Sequence, residues 1–118
     1  MKQVIEKALL SKVERLEAFE EKAGIRFENI SVTIQKGDEY LDEVVNFYLE
    51  AHPINGTTID KTIEVQIILY DQQNFILGSD FTYLIPDRFF GFELVNLVFR
   101  EEGIIDRINK IRIFPKTR

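Results

Sequence analysis

The sequence has no cysteine and no tryptophan, a single histidine, three prolines and six glycines among 118 residues. Without cysteine there are no disulfides, thiolate metal sites or thiol nucleophiles, so a disulfide-rich secreted scaffold is excluded. One histidine, His52, excludes a multi-histidine metal site within one chain. No apolar run approaches the roughly 18 residues of a membrane-spanning helix. The first residues, Met1 to Lys7, lack the apolar core of a secretory signal. The chain is therefore expected to be soluble and cytoplasmic, with no membrane partner. Gly-x-Gly-x-x-Gly, Walker-type and EF-hand spacings are all missing, as is a Gly-x-Ser-x-Gly nucleophile turn.

What is present is enough for one domain with a real core, since 45% of the residues are hydrophobic and 12% aromatic. The net charge of −5 is unevenly spread: residues 1–24 are balanced, residues 25–103 carry −9 and residues 104–118 carry +4. An acidic body argues against nucleic acid, which needs clustered cations to neutralise phosphates. The basic residues Arg107, Lys110, Arg112, Lys116 and Arg118 are expected to guard an edge strand against pairing with another chain.

Residues 2–23 show a helical period. Ile5, Ala8, Leu9, Leu16, Phe19 and Ala23 fall on one stripe, interrupted by Lys12, and Gly24 is a natural stop. The spacing predicts one long amphipathic helix over 1–24, about 33 Å in length. Its stripe must be buried, either on the rest of the chain or in trans. Ile5, Leu9, Leu16, Phe19 and Ala23 are thus the candidate interface, for a protein partner or a homo-oligomer.

From Ile25 the period changes to two. Ile30, Val32 and Ile34 alternate with polar residues, and the opposite parity of Ile25 and Phe27 predicts a bulge near Glu28-Asn29. A turn over Lys36 to Glu39 leads to a second strand with Val45, Phe47, Leu49 and Ala51 inward, ended by His52-Pro53. After the Asn55-Gly56 turn comes the clearest signal in the chain. Ile63, Val65, Ile67 and Leu69 alternate with Glu64, Gln66 and Tyr70, then Asp71-Gln72-Gln73-Asn74 turns the chain. The returning arm carries Phe75, Leu77, Phe81 and Tyr83 on one parity, with a bend at Gly78-Ser79. Residues 89–99 are apolar on both parities and read as a strand buried on both sides. A last strand, Asn109 to Phe114, points Ile111 and Ile113 inward. Six or seven such strands predict a mainly β fold: an antiparallel, immunoglobulin-like β-sandwich over 25–118, preceded by the helix.

The segment Ile67-Ile68-Leu69-Tyr70-Asp71, with its turn and Ile76-Leu77-Gly78, resembles the FxLYD-type immunoglobulin-like sandwich domain of bacteria and archaea. Leu69, Tyr70 and Asp71 match that motif, Ile67 stands at the Phe position, and Gln73 or Asn74 replaces the usual turn Gly. The resemblance spans residues 28–114. It implies the fold and a non-enzymatic role, in a family whose members are commonly exported, and it carries no site residue.

No catalytic constellation emerges. His52 beside Pro53 is expected at an exposed strand end, and Ser11, Ser31 and Ser79 lack the context of a nucleophile. Carboxylates at Asp38, Glu39, Asp42 and Glu43, and at Asp71, Asp80, Asp87, Glu101 and Glu102, raise the alternative of a Ca²⁺-binding sandwich. Tyr40, Tyr48, Tyr70 and Tyr83 raise that of a carbohydrate platform. The expectation is a non-enzymatic protein-interaction or adaptor module with no cofactor.

Overall fold

The computed structural model describes residues 1–37 and 42–118, so Asp38, Glu39, Tyr40 and the turn assigned to them lie outside the described residues. The long N-terminal helix is replaced by helix α1 (Lys2–Leu10), strand β1 (Val13–Arg15) and helix α2 (Glu17–Ala23). Lys12 is the reason the single helix fails. An unbroken helix would carry its ammonium into the centre of the buried stripe, where a charge is costly. Instead the chain extends after Ser11, and Lys12 Nζ donates to the carbonyl of Ile108 at 3.0 Å. The extension also gives β1 a partner. Its residues pair in parallel with Lys110–Thr117 (β7), Val13 opposite Ile111, and the Ile111 N–H donates to the Lys12 carbonyl at 3.1 Å. An open sheet edge thus outweighs local helix propensity. The stop at Gly24 is as the sequence implies, a left-handed cap with φ of 76°.

The remaining strands are β2 (Ile25–Gln35), β3 (Val44–Pro53), β4 (Ile63–Tyr70), β5 (Ile76–Leu84) and β6 (Glu93–Arg100), with a short helix α3 (Ile104–Arg107) before β7. They form two sheets, one ordered β1-β7-β4-β5 and the other β2-β3-β6. All pairs are antiparallel except β1 with β7. The four-plus-three division is that of an immunoglobulin constant-type sandwich, but the strands are dealt differently. There, the first, second, fifth and fourth strands share a sheet. Here the seventh stands in place of the second, and the fourth and fifth are exchanged, so the strand order is not the immunoglobulin one.

One core lies between the sheets. Ile63, Val65, Ile67 and Leu69 of β4 are at most 2% exposed, facing Val45, Phe47, Leu49 and Ala51 of β3 as their alternation requires. Burying each large aliphatic chain contributes about 1.5–3 kcal/mol. The parity change in β2 is absorbed by a bulge: the register with β3 shifts between Glu28 and Ser31, and Asn29 takes a φ of 55°. The β4–β5 turn is held by Asp71, whose Oδ1 accepts the N–H groups of Gln73 at 2.8 Å and Phe75 at 3.0 Å, while Asn74 turns the chain with φ of 66°.

Two strand expectations are corrected. β6 is an edge strand rather than a doubly buried one: Val95, Leu97 and Phe99 face the core, while Phe90, Phe92 and Leu94 are exposed. In β5 the bulge falls at Leu77, between the pairs Tyr70–Ile76 and Leu69–Gly78. It turns Gly78 towards Phe99 and sends Phe81 and Tyr83 to the outside.

Carboxylates cover the sheet edges. Glu6 of α1 accepts the Ile34 N–H at 3.0 Å and Glu20 of α2 accepts the Phe27 N–H at 3.0 Å, both on β2. Asp80 of β5 accepts the Val98 N–H of β6 at 3.4 Å. Backbone donors that a neighbouring chain would otherwise pair with are thereby satisfied.

Candidate interaction surface

The outer face of the four-stranded sheet is set by register. Across β5, β4 and β7 the outward rows are Tyr83–Glu64–Lys116, Phe81–Gln66–Phe114, Ser79–Ile68–Arg112 and Ile76–Tyr70–Lys110. The second row runs on to α2, where the Phe19 ring meets that of Phe114 edge to face at 5.8 Å. Phe81 and Tyr83 form another edge-to-face pair at 5.5 Å. An antiparallel sheet with one wet face places polar residues on it. Here Ile76 is 64% exposed, Phe81 53% and Tyr83 42%.

Charge on this face is one-sided. Lys110 lies over the Tyr70 ring at 4.7 Å and Arg112 at 5.3 Å. Arg112 Nε donates to Glu14 of β1 at 3.2 Å. Glu64 is only 2% exposed and accepts from both Gln66 and Arg118. The Gln66 hydrogen bond, reinforced by Arg118, holds its carboxyl below the usual carboxylate range. Among the described residues no carboxylate pairs with Lys110 or Lys116. Beyond Lys116 an open cleft of about 260 Å³ is lined by Phe19, Lys22, Ala23 and Pro115.

No protein-family model matches the chain, and no curated protein is significantly similar to it. The surface has to be read from its own chemistry.

The five residues of the expected helix interface are divided. Leu9 is buried at 2% exposure and Ile5 packs against the same core. Leu16 is the half-buried residue before α2, and Ala23 is half-buried at its end. Phe19 alone is exposed, at 46%, and it joins the sheet face rather than a helical seam. Periodicity found the apolar residues but attached them to a helix that the chain does not form.

The other candidates do not converge. His52 Nε2 donates a 2.9 Å hydrogen bond to Glu50 Oε1, and its ring stacks on Phe92 at 5.0 Å. Asn29 also donates to Glu50, at 3.0 Å, and the His52 bond followed by the Asn29 bond lowers the Glu50 carboxyl. Ser11 donates to the Ala8 carbonyl, Ser31 lies opposite Tyr48, and Ser79 is in the other sheet. Of the carboxylates, Glu43 accepts the Ile105 N–H at 3.0 Å, Asp71 holds its turn, and Glu101 pairs with Arg107 at 3.0 Å. Among the described residues no group of three or more His, Asp or Glu is gathered to hold a metal. Tyr48 lies on the outer face of the three-stranded sheet, whereas Tyr83 and Tyr70 lie in the first and last outward rows of the four-stranded one. No described helix is long and apolar enough to cross a membrane.

Proposed function

We propose that this chain is a non-enzymatic protein-interaction module that receives a partner segment on the outer face of its four-stranded sheet. The observation that carries the reading is the exposure of Ile76, Phe81 and Tyr83 in three of the four outward rows, where water would favour polar residues. Aromatic side chains supply large contact area at low entropic cost and are enriched in interface centres. Lys110, Arg112 and Lys116 border them as a polar rim. The N-terminal helices stay with their own sheets in this reading, because Leu9 of α1 belongs to the core with Ile5 packed against it, and Glu20 of α2 is bonded to β2. The four-plus-three sandwich is also a layout used by many interaction domains, which supports the reading by analogy of fold alone.

Selection from a random peptide-display library on the immobilised chain tests it. Enriched peptides are expected to bind the Phe81→Ser/Phe114→Ser double variant at least about tenfold more weakly. Peptides that bind both proteins equally would place the interaction elsewhere and end the reading.

A further inference from the structure

The outer face is polarised across its width. Its β7 side carries the cations Lys110, Arg112 and Lys116, with Phe114 between the last two, while its β5 side carries Ile76, Ser79, Phe81 and Tyr83 with no charge at all. The two strands are two inter-strand steps apart, about 10 Å, which is also the diameter of an α-helix with its side chains. A helix lying along the strands would therefore rest one flank on the aromatic row and the other on the lysine row. Glu14 neutralises Arg112, and Glu64 is buried beneath Arg118 and Gln66, which leaves Lys110 and Lys116 as the cations of the β7 side without a paired carboxylate among the described residues. Resting on the protein-interaction reading above, we propose that the partner segment is an amphipathic helix with apolar residues on one flank and Asp or Glu on the other.

Two other occupants fit less well. The first is a second copy of this chain, whose interface would need roughly 800 Å² per partner. A second copy would also bring the same face, on which the described carboxylates are already bonded. Single-stranded nucleic acid needs many phosphate-neutralising cations and free ring faces for stacking. This face offers two lysines without a carboxylate partner on a chain of net charge −5, and four of its rings are engaged edge to face.

Fluorescence anisotropy with four probes decides the matter. Three are peptides of about 17 residues, long enough to span eight-residue strands as a helix, sharing one Leu/Phe stripe and carrying Glu, Gln or Lys at the flanking positions. The fourth is an oligothymidylate. The Glu peptide is expected to bind, to weaken about three- to tenfold in Lys110→Ser/Lys116→Ser, and to lose binding in Phe81→Ser, with circular dichroism confirming that each variant is folded. Equal binding of the Glu and Gln peptides would overturn the acidic partner while leaving the interaction surface standing. Unchanged binding of the Glu peptide by either variant would overturn its placement. Failure of all three peptides would remove both the partner and the surface, and tighter binding of the oligothymidylate would replace them with a nucleic-acid surface.

Discussion

Glu20 accepts the backbone N–H of Phe27 at 3.0 Å while being gripped by Arg15 Nη2 at 2.7 Å, so a carboxylate on α2 completes the edge of β2. It does so at 3% exposure. Removing it leaves a buried donor without a partner, which costs about 1–3 kcal/mol. Glu20→Ala is therefore expected to lower unfolding stability in urea by that amount. Glu21→Ala, on the exposed side of the same helix, should stay within about 0.5 kcal/mol of the parent. Equal effects would show that the edge contact contributes nothing.

The Glu64 carboxyl titrates below its ordinary value of 4.5 because Gln66 and Arg118 hold its charged form. Its contribution to stability is therefore fully present above about pH 4.5 and is lost as pH falls through the lower, folded value. Urea midpoints measured from pH 7 down into acid should fall less steeply for Glu64→Gln than for the parent. Parallel curves would remove Glu64 from the acid response.

Leu9 distinguishes a helix docked on its own sandwich from one held for another chain. At 2% exposure it is expected to cost about 2–5 kcal/mol as Leu9→Ala, independent of protein concentration. Val4, 64% exposed on the same helix, should be nearly silent as Val4→Ala. A concentration-dependent loss for Leu9→Ala would instead place this residue between chains.

Ile67 is fully buried at the centre of β4, and a carboxylate there has no partner. Ile67→Asp is expected to destabilise by more than about 4 kcal/mol or to prevent folding. Gln72→Ala, in the exposed turn, should leave thermal unfolding almost unchanged. The contrast checks the facing of the whole strand, because a slip of one residue would turn Ile67 to the outer face and make Ile67→Asp nearly as mild as the turn substitution.

The inward ladder of β4, the Asp71 turn, the bulge at Asn29 and the facing of β3 and β7 are all legible as alternation and turn chemistry in the sequence, because each is decided within a few residues. The break at Lys12 is legible only by half: its charge in the apolar stripe is visible, but the edge of β7 that receives the extended chain lies nearly a hundred positions away. The outer face was hidden for a related reason. Phe81 and Tyr83 look like core residues by type, and only the bulge at Leu77 and the register with Glu64 and Gln66 place them outside. β6 misled in the same manner, its exposed Leu94 being indistinguishable by hydropathy from the buried Val95.

The parallel pairing of β1 with β7 also bears on the order in which the chain can organise itself. Glu14 and Arg112 are 98 positions apart, and closing so long a loop carries an entropic cost that only a nearly assembled sandwich can offset. β1, synthesised before the other described strands, is thus obliged to wait for β7, synthesised after them. Until β7 arrives, Val13 has no strand to pair with and α2 no Phe114 on which to rest Phe19. Closure of the N-terminal segment is therefore a late folding step, and by the same logic an early one to come undone.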